Sequence, residues 1–533
     1  MKNKLHIYGL LIVTNLILLQ VAIGQKVQLK MGPEYKLKKR TQMPNKFIYG
    51  DNSSSYLLRN NVNLGSVYAA AYTFGLAKVT ATASLEKYDG KMNEVFDKGI
   101  NSPVKDLSVR DVMWCKDKFV LITSKFDKNA KTNTVYGNFM DNDGTVQPNA
   151  VTLMKLEVEA KHGTGSFYFR ISDDSTKVLV YANPPYDKDG NQKFAFSVYN
   201  TSLEKQWEKV VTLPYKDKMI DIYNEIISNN GDVYLLVKKY DGEAPKQAKR
   251  NENGKEANYK FMVLAYTNQG NDYKEYTFDL SGKFVVDPTF KLDPKGNLAF
   301  AGFYTDKLGG SEKGIFYSTI DALTKEVKAS STKEFTTEMI EAFGKNRMER
   351  KKNGNDAGLR NFVFRKFLLK DDGGAVLLAE NYYIVEITTT DKYGTRTTYQ
   401  YHYNDILAIG VNSSGSIDWF TRIPKMQVCQ GIPLPSFGFS PLVAGDKVYL
   451  LYNDNKKNLA GDTKGKAKGF TGAGIAQVAI IDSKGGVTKK ELFDAKDMKT
   501  QLQVQLSRQV TPNSMVVYMQ KGKNYRIGSI TID

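Results

Sequence analysis

The sequence predicts an all-β fold, a single β-propeller domain of eight blades, and three observations carry that prediction. Apolar segments of strand length with period-2 alternation recur eight times, at a mean interval of about 64 residues. Each is followed by a second strand that ends on an Asp, Asn or Thr turn. The last repeat stops short of its outer strand, while the first segment after the N-terminal leader has strand-like stretches without a hairpin to belong to.

The recurring segments begin at Val67, Phe119, Val178, Val233, Leu298, Ala375, Val448 and Met515. Their turn residues align as Asp89, Asp141, Asn200, Thr267, Asp321, Asn412 and Asp482, where short side chains hydrogen-bond the local backbone and tolerate left-handed conformations. A third strand follows, as at 327–332 and 489–493. Strand, hairpin, turn and strand at this period is the signature of a propeller blade. The eighth copy ends at Asp533, on the turn residue. Residues 26–40 are therefore expected to supply its missing strand and close the ring, which removes an exposed edge. Seven blades would result if one hairpin lay outside the ring. Two tandem sandwiches are the alternative architecture, and they would need a central linker that the sequence lacks.

The chain has 533 residues, and 41% hydrophobic with 25% charged residues is a globular balance. Tyr (32) and Phe (27) far outnumber Trp (3), an enrichment that favours sheets. Three His and two Cys exclude Cys/His zinc sites, iron–sulfur centres and CxxC redox motifs, so no metal or cofactor is expected. Lys2 and Lys4, an apolar run and an Ala22-Ile23-Gly24 exit read as a signal peptide over residues 1–24. Residues 25–533 are then the exported domain, periplasmic or extracellular, with no later run long enough to span a membrane. Cys115 and Cys429 fall in distant repeats and are expected as buried free thiols. The net charge of +18 drops to about +16 on cleavage. Export makes nucleic acid an improbable target. It leaves an envelope protein, lipopolysaccharide or an acidic glycan as partners, against a surface merely kept soluble by lysine.

At 404–419 the sequence resembles the repeats of secreted bacterial β-propellers, which run an apolar strand into Asp/Asn-x-x-Gly-x-x-x-Trp. Asn412, Gly415 and Trp419 match all three positions. Asn200 and Trp207 match in the third unit, where Leu203 replaces the glycine. Other units carry Phe96, Pro148, Lys274, Lys328 or Lys489 at the Trp position. The resemblance implies a fold and an envelope location, with the Trp packing blade against blade. The blades are similar, more loosely, to the tryptophan-docked blades of quinoprotein dehydrogenases. Asn412 stands one position closer to its glycine than in that motif, so no quinone cofactor is carried over.

The longest turn-to-turn interval, Asp321 to Asn412, holds an insert. Within it Thr336–Lys352 reads as a helix, with Phe335, Met339, Ile340 and Phe343 on one face. Its basic end, Arg347, Arg350, Lys351 and Lys352, is a candidate docking surface, and a connecting helix with dipole-compatible charge is the plainer reading. Loops at 241–260 and 455–474 are candidate rim loops, the second carrying Lys464, Lys466 and Lys468. His402 has no accompanying nucleophile motif, and neither it nor His162 marks a catalytic site. The Asp-Gly segments at 141–144 and 187–191 lack the Gly and Glu spacing of a calcium loop and read as turns. The functional expectation is a non-catalytic binding or scaffold propeller of the bacterial envelope. The alternative is a carbohydrate-active or other hydrolytic enzyme with funnel-lining carboxylates, which assemble in space and leave no local motif.

Overall fold

The computed structural model describes residues 26–38, 42–62, 81–100, 107–158, 163–242, 257–343, 358–460 and 465–533, apart from positions 279, 281, 294, 308, 322, 323, 325, 371, 393 and 471. These form eight antiparallel sheets of four or five strands, in the meander order of a β-propeller. Sheet 1 runs Gln42–Gly50, Ser54–Val62, Ala81–Asp89 and Glu94–Ile100. Sheet 2 runs Ser108–Cys115, Lys118–Asp127, Thr132–Met140 and Val151–Glu157. Sheet 3 is Ser166–Ile171, Val178–Asn183, Asn191–Tyr199 and Lys205–Lys216. Sheet 4 is Ile220–Ile227, Val233–Tyr240, Tyr259–Thr267 and Asp272–Phe278. Sheet 5 is Phe284–Leu292, Leu298–Thr305, Gly314–Ile320 and Val327–Glu334. Sheet 6 is Phe362–Leu369, Ala375–Asp391, Gly394–Val411 and Ile417–Ile423, with Gln427–Gln430 added beside the third strand. Sheet 7 is Ser440–Ala444, Lys447–Asp454, Ile475–Ile481 and Val487–Asp494. Sheet 8 is Arg508–Thr511, Ser514–Lys521 and Asn524–Ile532.

Sheet 8 takes its fourth strand from the other end of the chain. Val27–Met31 pairs antiparallel with Asn524–Ile532, from Val27 opposite Ile532 to Met31 opposite Gly528. Tyr35–Lys36 pairs further along the same strand. At Gly32 a Cβ would stand 2.5 Å from the Met92 Cβ, so only glycine lets the segment pass between sheet 8 and the turn of sheet 1.

Strand position within a sheet follows from hydrophobic pattern. In sheets 2 to 8 the second strands are built on apolar runs because both faces meet another sheet, and Leu298–Thr305 is buried at every residue. Fourth strands alternate, as in Val327–Glu334, because one face meets water. Eight apolar clusters each draw on two sheets. They join 1 to 2 (Leu85, Leu121), 2 to 3 (Val120, Val180), 3 to 4 (Phe196, Leu235) and 4 to 5 (Val263, Phe300). They continue from 5 to 6 (Phe303, Leu377), 6 to 7 (Leu378, Leu450) and 7 to 8 (Leu451, Val517). The eighth joins sheet 8 to sheet 1 through Val516, Tyr518, Leu57 and Phe47. Each such side chain contributes roughly 1.5–3 kcal/mol of burial.

The turn after the third strand is the same device in several sheets. In sheets 1, 3, 6 and 7 a carboxylate or amide oxygen of Asp89, Asn200, Asn412 or Asp482 accepts the N–H groups two and four residues on. The residue three on takes a positive φ: Met92, Leu203, Gly415 and Gly485.

Several expectations need correction. The structure holds a further strand ahead of seven of the recurring apolar segments, each of which is thus the second strand of its sheet. In sheet 1 that second strand is Ser54–Val62, and the segment beginning at Val67 lies outside the described residues. Within the described residues the helix covers Thr337–Phe343, and residues 344–352 of the expected helix lie outside the described residues. The long interval before Asn412 also has a second cause. The middle hairpin of sheet 6 has strands of 17 and 18 residues, about three times the usual strand. Cys115 and Cys429 are buried free thiols.

Candidate functional site

Meander topology sorts the connections onto two faces. First-to-second and third-to-fourth turns emerge on one face, the latter being the tight turns just described. Second-to-third connections and the links from sheet to sheet emerge on the other. That second face carries the long elements: the tip of the sheet 6 hairpin, the helix Thr337–Phe343 and the loop between Asp454 and Ile475.

The first strands share an irregularity at one register. Against the second strand, sheet 1 bulges between Pro44 and Lys46, sheet 2 between Val109 and Asp111, and sheet 4 between Ile222 and Asn224. Sheet 5 bulges between Val286 and Thr289, and sheet 6 between Phe364 and Lys366. The partner after the bulge is Leu58, Ile122, Leu236, Ala301 or Leu378. In sheets 2, 4, 5 and 6 this is the fourth residue of the recurring apolar segment. A bulge frees one residue from the ladder and re-aims its side chain. The freed residues are Asn45, Arg110, Tyr223, Asp287 with Pro288, and Arg365. Tyr223 is 53% exposed.

Neighbouring first strands bind one another at this edge. Lys46 Nζ meets Asp111 at 2.6 Å between sheets 1 and 2, and Arg170 meets Glu225 at 2.8 Å between sheets 3 and 4. The Phe364 amide donates to Asp287 Oδ2 at 2.5 Å between sheets 5 and 6. Gln509 Nε2 donates to the Val443 carbonyl at 2.8 Å between sheets 8 and 7. Arg508 donates to the carbonyls of Phe47 and Ile48 between sheets 8 and 1.

Electrostatics differ among the bulged residues. Arg110 Nε donates to Ser124 Oγ at 2.6 Å, and its chain is exposed. Arg365 is anchored from behind: its Nε donates to Glu380 at 2.9 Å, and the other Glu380 oxygen takes Lys425 Nζ at 2.7 Å. Glu380 and Lys425 are both buried, so the pair fixes the orientation of Arg365, whose guanidinium also lies over the Tyr382 ring. Burial pushes Lys425 below the ordinary lysine range, against the pull of Glu380. Asp287 has φ +46, a strained conformation for a side-chain-bearing residue. Burial raises its carboxyl pKa against the opposing Phe364 amide and Arg365.

The sequence-predicted residues fall elsewhere. Arg347, Arg350, Lys351, Lys352 and Lys464 lie outside the described residues, as do His162 and most of the 241–260 loop. Lys466 and Lys468 are exposed on the long-connection face. Their loop is pinned: Asn458 Nδ2 donates to the Lys468 carbonyl and to Asp454, and the Phe470 amide donates to Met426. Burial raises Asp454 to about 6 despite the Asn458 and Asn455 hydrogen bonds and the nearby Lys489 and Lys425 charges. His402 stacks on Tyr383 with centroids 4.4 Å apart, and burial lowers its pKa.

Asn200, Trp207, Asn412, Gly415 and Trp419 sit at the turns and fourth strands, away from the bulged edge. Trp207 of sheet 3 donates its Nε1–H to the Gly231 carbonyl of sheet 4 at 3.2 Å, and a Cβ on Gly270 would come within 2.6 Å of its ring. Trp419 of sheet 6 donates to Ser483 of sheet 7 at 3.0 Å, with Gly485 beneath its ring. Each Trp thus docks one sheet on the turn of the next. Sequence reasoning missed Arg110, Tyr223, Asp287 and Arg365. The available signal was a short polar strand ahead of each apolar segment.

The eight sheets and their meander order give the fold of a β-propeller. Among solved structures, the chain is similar to the propeller domain of the Trilobed protease from Pyrococcus furiosus, at 10% identity and TM-score 0.36, over 86% of this chain and 97% of that one. It is similar to a quinohemoprotein alcohol dehydrogenase from Pseudomonas putida HK5, at 11% identity and TM-score 0.44, over 95% and 76%. It is also similar to the WD40 domain of SCAP from fission yeast, at 8% identity and TM-score 0.35, over 95% and 98%. No protein-family profile and no curated protein matches the chain.

Proposed function

We propose that the chain is an exported, non-catalytic binding or scaffold propeller of the bacterial envelope. In this reading its eight sheets form a closed eight-bladed ring, completed by the N-terminal strand. The cluster joining sheets 8 and 1, and the Arg508 bonds across the same boundary, support the closure. The single observation that carries the binding reading is the bulge at one register in five first strands. It turns exposed Arg110, Tyr223 and Arg365 out of their ladders at the sheet edge. Guanidinium groups and an exposed phenol suit an anionic glycan, a class that includes lipopolysaccharide.

The test is binding of purified lipopolysaccharide to the wild type and to Arg110→Gln, at low and high salt. The reading expects wild-type binding that weakens with salt and falls several-fold further in the variant. Equal binding by both proteins, or none by the wild type, overturns it. A hydrolytic reading has one observation behind it, the strained and half-buried Asp287 with its raised carboxyl pKa. Glycan cleavage by the wild type that Asp287→Asn abolishes would favour that reading instead.

A further inference from the structure

We infer that the bulge in the first strand of sheet 6 is a phosphate site, at which Arg365 and Lys366, with Lys291 of sheet 5, take a glycan-borne phosphate monoester. This rests on the reading of the first-strand edge as an anionic-glycan site and specifies the anion. Phe364 pairs with Ala379 and Lys366 with Leu378, so the bulge sets Arg365 beside Lys366 with no ladder partner of its own. Both side chains are exposed. Lys291 lies on the neighbouring first strand between Phe290 and Leu292, which are buried in the cluster with sheet 4. Strand alternation turns Lys291 the other way, toward sheet 6.

The acids at this boundary are already engaged. Glu380 takes Arg365 on one oxygen and the buried Lys425 on the other, and Asp287 accepts the Phe364 amide. Among the described residues neither Lys291 nor Lys366 has an ion pair, and the Nη groups of Arg365 make no hydrogen bond. Burial and the charge of Lys291 push Lys366 below the ordinary lysine range, so the two ammonium groups feel each other without an acid to offset them. A buried ion pair is a poor source of stability, and the Glu380–Lys425 pair instead holds an exposed guanidinium in one orientation. The charge count then selects the anion. A carboxylate carries one charge and leaves a lysine uncompensated. A phosphate monoester carries between about −1.5 and −2 at pH 7 and offers three acceptor oxygens. Arg365 supplies directional donors to them and the lysines supply point charges.

Calorimetric titration of the full chain with glucose 1-phosphate, inorganic phosphate and glucuronate tests the site. The wild type should bind glucose 1-phosphate most tightly and glucuronate several-fold more weakly. Lys366→Gln and Lys291→Gln should each weaken glucose 1-phosphate several-fold, and so should Arg365→Lys, because an ammonium does not replace the guanidinium fork. Both glutamine variants should melt no lower than the wild type, since each removes one of two like charges, and glucose 1-phosphate should raise the wild-type melting temperature more than theirs. Lys205→Gln, in the exposed Lys205–Glu208 pair on the fourth strand of sheet 3, should bind as the wild type does. An equal loss in Lys205→Gln, glucuronate bound as tightly as glucose 1-phosphate, or inorganic phosphate bound more tightly than either overturns the inference. Lipopolysaccharide separates the two levels of failure. If it binds and Arg110→Gln weakens it while no phosphate binds, the phosphate site alone falls; if neither binds, the anionic-glycan reading falls with it.

Discussion

The boundary between sheets 8 and 1 and the boundary between sheets 5 and 6 join equivalent surfaces with different chemistry. Sheets 5 and 6 meet through aromatics, with Phe303 stacked on Phe364 at 4.3 Å and Phe335 and Phe362 around them. At the 8–1 boundary the apolar cluster surrounds a buried ion pair. Arg59 meets Glu86 through two hydrogen bonds, of 2.5 and 2.9 Å, with both side chains almost fully buried. Tyr88 donates to Glu86 at 2.6 Å, Arg59 donates to Tyr518 of sheet 8 at 3.3 Å, and its guanidinium lies over the Tyr525 ring. Burial would depress the Arg59 pKa, but the Glu86 carboxylate outweighs it and keeps the guanidinium charged. Sequence order already brings sheets 5 and 6 together, and apart from hydrogen bonds such as that of the Phe364 amide to Asp287 their contact is apolar. The 8–1 boundary joins the two ends of the chain, and a directional network accepts only one arrangement of them.

That contrast predicts unequal responses to substitution. Glu86→Ala leaves a buried guanidinium unpaired and should cost about 3–5 kcal/mol in urea unfolding. Even the isosteric Glu86→Gln should be severely destabilising if the charge itself is needed. A Glu86→Gln protein that melts with the wild type would reduce the boundary to ordinary packing. Asp454 sharpens the comparison, because it is buried like Glu86 yet held mainly by amides. Its carboxyl pKa is raised to about 6 in the folded chain, so the folded state binds the extra proton. The contribution is therefore favourable at acid pH and lost as pH rises from about 4 through 6, by up to about 3 kcal/mol. Asp454→Asn should lack this step when urea melts at pH 5 and 7.5 are compared. The smallest effect belongs to the aromatic boundary. Phe303→Leu keeps most of the apolar volume and should cost about 1 kcal/mol by thermal melting.

What was legible in the sequence is what hydrophobic burial writes there. The second strands lie between two sheets, so their apolar runs repeat visibly, and the Asx turns after the third strands recur for a similar local reason. The first strands were hidden because they lie at an edge, alternate poorly and are interrupted by bulges. Arg110, Tyr223 and Arg365 look like ordinary surface residues until pairing shows them freed from the ladder. The extension of the sheet 6 hairpin was missed because the long interval from Asp321 to Asn412 was assigned to an insert holding the helix. The Leu203 turn shows the opposite case: the left-handed position was found through its glycine homologue at Gly415, and buried packing holds a leucine there.

The central claim is that the N-terminal strand is an integral strand of sheet 8 and holds the two chain ends together. Hydrogen exchange of the Val27–Met31 amides tests it most directly. Those bonded to Asn524–Ile532 should exchange as slowly as the core amides of Ser514–Lys521, through opening of the whole fold. Exchange at the rate of an unstructured tail, with Ser514–Lys521 still protected, would contradict the account.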